Sequence, residues 1–148
     1  MQSIQSSVTS INIPNWVCND PAFTTLDFSR FTRVESIEIG HNSFASVKTF
    51  LIEGMFRLKS LKIGLYSFTQ KKSAMCEGDG SKSFHIINCK SLESIEIGEY
   101  SFSDFGGQFE LRKLPSLCTL VIGKVGSWSR NFTGSSFVVR GIDMTLNI

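Results

Sequence analysis

The sequence predicts a mostly β solenoid: a right-handed coil with a main parallel sheet, a second short parallel sheet and little helix. Three observations predict it. A phrase of the form apolar-x-x-apolar-x-Ile-Gly recurs along the chain. Its copies return at a period in the mid-twenties. A second short apolar element precedes each later copy at a fixed distance. Self-similarity of this length marks stacked repeats, well short of the longer helical kinds.

The clearest copies begin at Val34, Leu58 and Leu92 and end on Gly40, Gly64 and Gly98. A partial copy runs from Leu117 to Gly123, and another from Val8 to Pro14, with proline where the others carry glycine. Registered on Val8, Val34, Leu58, Leu92 and Leu117, the spacings are 26, 24, 34 and 25 residues. The chain therefore reads as one repeat domain, 1–148, of about five units. Leu146-Asn147-Ile148 reads as the start of a partial sixth strand.

Each unit opens with Ile-x-Ile or Leu-x-Ile, an alternation of period two rich in β-branched residues, which is a strand signal. The glycine that follows suits a tight turn, where it tolerates positive φ. Five residues after the last isoleucine comes Phe44, Phe68 or Phe102, expected to plug the coil from the turn. In the fourth copy that place is Ser127, and Phe132 is expected to take over the role after a longer loop.

The second elements are Leu26-Asp27-Phe28, Phe50-Leu51-Ile52, Phe84-His85-Ile86, Phe109-Glu110-Leu111 and Phe137-Val138-Val139. From the first four, the next registered residue is always eight positions on: 26 to 34, 50 to 58, 84 to 92, 109 to 117. The excess length of one unit must then lie between Phe68 and Phe84. The polar, glycine-containing segment 71–82 reads as a mobile insertion looping off the surface. No stretch is long and amphipathic enough for a stable helix. Stacking the units aligns Ile on Ile and Phe on Phe at about 4.8 Å, burying faces that no unit can bury alone.

With the apolar positions turned inward, the intervening ones form rows across the main sheet. One row is Thr9, Glu35, Lys59, Glu93, Cys118; the next is Ser10, Ser36, Ser60, Ser94, Thr119; the third is Asn12, Glu38, Lys62, Glu96, Val121. Lys59 and Lys62 each lie between two glutamates, an arrangement that disfavours slipped stacking and also makes a binding patch. Tyr66 and Tyr100 occupy equivalent turn positions at one rim, placed to stack on each other or to meet a partner. The candidate partner-binding residues are thus Glu35, Glu38, Lys59, Lys62, Glu93, Glu96, Tyr66 and Tyr100. Trp128, in an irregular loop, is either a core plug or a contact residue.

Signals for chemistry are weak, and the expectation is no enzyme and no cofactor. His41 and His85 fall at unrelated positions and read as surface residues. The serines lack a neighbouring His–carboxylate arrangement and no nucleophile elbow occurs. Each of these glutamates sits beside a lysine, which lowers its pKa and does not suit a general acid. Cys18, Cys76, Cys89 and Cys118 are dispersed and read as free thiols, not as a zinc site. Asn131-Phe132-Thr133 is a sequon, awkwardly placed if Phe132 is buried.

At 148 residues with 41% hydrophobic content, the chain has enough apolar material for one core. A net charge of +2 from 15 basic and 13 acidic residues gives no reason to expect nucleic acid or an anionic membrane. No run is long enough to insert into a membrane. The first residues lack a basic start and an apolar core, so the default reading is cytoplasmic, unless the chain is a piece of a longer surface protein. The C-terminal run shows no polar cap, which reads as a fragment and raises end-to-end self-association.

The repeats resemble the leucine-rich repeat superfamily, whose units run about 20–29 residues. The form most similar is the short, irregular repeat of some bacterial and protist surface proteins. Val8-Thr-Ser-Ile-Asn-Ile-Pro14 and the cysteine-containing lead-in Asn88-Cys89-Lys90-Ser91-Leu92 carry that likeness. The resemblance implies a protein-binding role on a concave sheet and brings no catalytic residues. The reading from sequence is a non-catalytic module binding another protein; the alternative is a structural spacer or surface-array segment of a larger repeat protein.

Overall fold

The computed structural model describes residues 7–70, 77–124 and 129–142. Ten strands and, among the described residues, no helix wind into a solenoid of about five coils. The main sheet contains β1 (Ser10–Ile13), β3 (Ser36–Ile39), β5 (Ser60–Ile63), β7 (Ser94–Ile97) and β9 (Thr119–Ile122), in that spatial order. The second sheet contains β2 (Thr25–Asp27), β4 (Thr49–Glu53), β6 (Ser83–Ile87), β8 (Gln108–Arg112) and β10 (Ser136–Arg140), again in coil order. Every pairing is parallel.

The register is the one the repeat demands. Ile13, Ile39, Ile63, Ile97 and Ile122 pair in one continuous row, and Ile11, Ile37, Leu61, Ile95 and Leu120 in another. On the second sheet Leu26, Phe50, Phe84, Phe109 and Phe137 align likewise. A one-residue slip would turn every one of these side chains to solvent, so burial itself enforces the register.

Phenylalanine fills the space between the sheets in two ladders. The turn ladder stacks Phe44 on Phe68, Phe68 on Phe102 and Phe102 on Phe132, with centroids 4.4 to 5.1 Å apart and rings within 11° of parallel. Phe132 therefore replaces the plug missing at position 127. The strand ladder stacks Phe50 on Phe84 and Phe84 on Phe109 at 4.8 and 5.1 Å. The two ladders meet edge to face, as where Phe84 abuts Phe102 at 79°. Both geometries suit the ring quadrupole, and each fully buried ring adds roughly 1.5–3 kcal/mol of burial.

The glycine turn works differently from the expectation. Gly40, Gly64 and Gly98 do not have positive φ; Gly123 does, at 71°. The left-handed positions are instead Asn42, Tyr66 and Tyr100, and Phe44, Phe68 and Phe102, with φ between 55° and 61°. The glycines are required because the coils touch there: a Cβ on Gly98 would lie 2.6 Å from the carbonyl carbon and oxygen of Gly64.

A buried serine column closes the same turn. The Ser67 hydroxyl donates to the Gly40 carbonyl at 2.8 Å and accepts from the Ser43 amide. The Ser101 hydroxyl donates to the Gly64 carbonyl at 2.6 Å and accepts from the Ser67 amide. In the next coil Asn131 takes over, its amide donating to the carbonyls of Gly98 and Ser101 at 2.8 Å each. The sequon nitrogen is thus engaged in the fold.

Part of the expected surface loop is also tied down. Residues 71–76 lie outside the described residues, as do Trp128 and the expected sixth strand 146–148. Residues 77–82, however, are held against the following coil. Asp79 bridges Phe105, its amide donating to the Asp104 carbonyl at 2.7 Å. The Lys82 side chain is buried and ion-pairs with Asp104 at 2.7 Å. A short polar segment was expected to be solvated; a buried partner on the neighbouring coil overrides that expectation.

Candidate functional site: the charged face of the main sheet

The structure brings the two charged rows together as parallel columns on the outer face of the main sheet. Glu38, Lys62 and Glu96 are paired residue for residue in β3, β5 and β7, and all three are exposed. Glu35, Lys59 and Glu93 precede those strands by one residue and remain in step: the Lys59 amide donates to the Glu35 carbonyl and the Glu93 amide to the Lys59 carbonyl, each at 2.8 Å. Half-buried Ser36, Ser60 and Ser94 separate the columns and keep the ground between them low.

The columns are not electrostatically equivalent. Lys59 Nζ lies 2.9 Å from Glu35 Oε2. That hydrogen bond and the lysine charge hold the Glu35 carboxyl below the usual carboxylate range, while Glu35 raises Lys59 and Glu93 adds a smaller push. Both groups are well hydrated, so the contact contributes little stability. In the second column, among the described residues, no carboxylate lies within 4.0 Å of the Lys62 ammonium, so Glu38, Lys62 and Glu96 stand in register without closing into ion pairs. Three unpaired charges face solvent in one line.

Beside that line the missing side chains of Gly64, Gly98 and Gly123 leave a shallow depression of about 240 Å³. Lys62, Glu96 and Val121 bound it on the strand side, and His41 and Leu65 on the turn side. His41 is held there because its Nδ1 accepts the Leu65 amide hydrogen at 2.8 Å. Sequence reasoning missed His41 and Leu65 as lining residues. The signal was present: both directly follow the strand-end glycine, so a bare floor implies that they form its wall.

Tyr66 and Tyr100 stack face to face at 4.9 Å and 7°, half-buried, and do not line the depression. The structure joins them to each other and not to the charged columns.

Elsewhere, His85 is not the plain surface residue expected. Its Nδ1 lies 3.0 Å from Glu110 on the neighbouring strand, and Glu110 also approaches Arg112 Nε at 3.1 Å. Among the described residues no three His, Cys, Asp or Glu side chains gather to hold a metal ion. Cys18, Cys89 and Cys118 are free thiols, and Cys76 lies outside the described residues. No helix is long and apolar enough to cross a membrane among the described residues. No family model, curated protein or solved structure matches the chain.

Proposed function

We propose that the chain is a non-catalytic protein-binding module that presents the charged face of its main sheet to a partner protein. The observation that carries this reading is the line Glu38–Lys62–Glu96, exposed, in strict register and unpaired, beside a depression floored by backbone. Charges already neutralised by neighbours have little to offer a partner; unpaired charges in fixed register give orientation and specificity. The floor lets an approaching chain come close to the sheet, and Leu65 and Val121, both substantially exposed, supply apolar contact beside the charge. Membership of the leucine-rich repeat superfamily is part of this proposal, supported by the repeat phrase and the parallel coil.

The test reverses both lysines. In the Lys59→Glu, Lys62→Glu variant, capture of a partner that binds the unmodified protein is expected to be lost while the far-ultraviolet circular dichroism is unchanged. Capture that survives the double reversal sinks the reading. A second reading, a structural spacer in a larger array, is favoured by one observation: the coils repeat in strict register through both sheets.

A further inference from the structure

A near-neutral total conceals how the charge is distributed. Between each second-sheet strand and the apolar residue that begins the next unit, the chain runs 28–34, 54–58, 88–92 and 113–117. These stretches carry Arg30, Arg33, Arg57, Lys90 and Lys113, and no aspartate or glutamate. The five side chains are exposed, and among the described residues none of them joins an ion pair. Because the strands on either side pair in coil order, the four turns stack along one edge of the solenoid. The turns on the opposite edge mix their signs, with Asp20, Glu77, Asp79 and Glu99 among lysines and arginines. The turns bearing Arg57 and Lys90 have a coil on each side, so their exposure owes nothing to the ends of the chain.

On the main sheet like charges are kept apart, since glutamate and lysine alternate from coil to coil. On this edge they are not. Arg33 and Arg57 each stand three residues before the paired Ser36 and Ser60, so they hold the same turn position on adjacent coils. Coils are about 4.8 Å apart, and like charges placed in register repel. Glu35, the carboxylate that feels Arg57, is already bonded to Lys59. Two rings lie among the cations. Phe56 is 46% exposed with Lys90 Nζ 5.2 Å from its centroid, and Arg30 lies 5.3 Å from the centroid of half-buried Phe31.

We propose that this edge binds a single strand of nucleic acid, with phosphates on the arginines and lysines and a base against Phe56. Charge complementarity selects a polyanion, and a phosphate between Arg33 and Arg57 relieves their repulsion. Arginine holds three of the five positions, and its planar fork grips phosphate with two hydrogen bonds at once. Geometry selects one strand. A single line of cations over four coils, about 15 Å long, follows one backbone. A duplex offers two phosphate tracks and a bilayer a plane. The exposed ring gives a base a face to stack on, for which a sulfated polysaccharide has no counterpart. The near-neutral total gave no reason to expect nucleic acid; its segregation to one edge supplies that reason. This edge lies on the turns, apart from the charged face of the sheet, so failure of either proposal leaves the other standing.

Fluorescence anisotropy of a labelled oligouridylate of about 12 nucleotides, titrated with the full chain, tests it. Binding is expected at about 50 mM salt, weakening with a log–log slope of about −2 to −3.5 as salt is added. In the Arg33→Gln, Arg57→Gln, Lys90→Gln variant the affinity is expected to fall at least about tenfold and the slope to shrink by about 2. Its circular dichroism should be unchanged. Phe56→Ala is expected to weaken binding at least about fivefold at unchanged slope, which separates stacking from charge. Arg57→Gln and Lys48→Gln remove one charge each, the second from the opposite edge, and only the first is expected to weaken binding. An oligonucleotide that fails to bind at low salt overturns the proposal. So does equal loss in the two single-charge variants, which marks attraction to total charge alone. A duplex that binds better than the single strand also overturns it. So does an unchanged affinity in Phe56→Ala while heparin or phosphatidylserine vesicles bind, which assigns the edge to another polyanion. Should the triple variant fail to fold, Arg57→Gln against Lys48→Gln decides.

Discussion

Lys82 Nζ lies 2.7 Å from Asp104 Oδ2, and both side chains are almost wholly removed from solvent. The pair fastens the insertion to the turn that follows β7. It also leaves Asp104 Oδ1 buried without a hydrogen-bond partner. Removing one member strands the other charge in a dry site.

Lys82→Met is accordingly expected to destabilise the fold by about 3–5 kcal/mol, and the joint change to Lys82→Met, Asp104→Leu by much less. Urea denaturation of the three proteins measures the difference. Equal losses in the single and double variants would show that the pair is not acting as a unit.

The phenylalanine ladders should be energetically graded along the solenoid. Phe102, fully buried and touching both ladders, is expected to cost roughly 3–5 kcal/mol when changed to alanine. Phe137→Ala, at a position 57% exposed, is expected to cost less than about 1 kcal/mol. Thermal melts at low protein concentration compare the two.

Gly98→Ala tests why glycine ends the main strands. Its new methyl would meet the backbone of Gly64, which is tied by its amide to Ile39 and by its carbonyl to Ser101 and has little room to yield. The expected loss is about 1–3 kcal/mol, as for other overpacked sites. Gly80→Ala, whose methyl would meet nothing within 4 Å, should stay within about 0.5 kcal/mol of the unmodified protein.

Asp79 makes the docking of segment 77–82 on the following coil acid-sensitive. The Ser81 hydroxyl and then its amide hold the Asp79 carboxyl below its ordinary value of 3.8, so folding favours the charged form. That contribution is fully present above the ordinary value and fades as pH falls through the depressed one. Asp79→Asn should therefore flatten the acid limb of the stability profile without changing it near neutrality in shape. An unaltered acid limb would contradict this.

Thiol reactivity should separate the described cysteines. Burial pushes the Cys89 thiol up, and its side chain packs in the core beneath the turn. Brief alkylation of the folded protein is expected to label Cys18 and Cys118 and to spare Cys89 until denaturant is added, as peptide mass mapping would report.

Much of this was readable because the chain repeats. Period-two alternation at Ile37-Glu38-Ile39 and its copies specifies strands, and the constant eight-residue step specifies how each second strand feeds the next first strand. Together they identified the rows Glu35–Lys59–Glu93 and Glu38–Lys62–Glu96 before any coordinate. The walls of the depression were harder to see, since His41 and Leu65 share a place in the repeat but no chemistry.

The sequence by itself determined the coil, its register and which side chains face inward, because a repeated pattern has one way to stack that buries every apolar row. Only the tertiary structure decided which charges pair, why the strand-end glycines are needed and where Lys82 goes. Those outcomes depend on distances between neighbouring coils of a few tenths of an ångström to a few ångströms, and residue order along one coil carries no record of them.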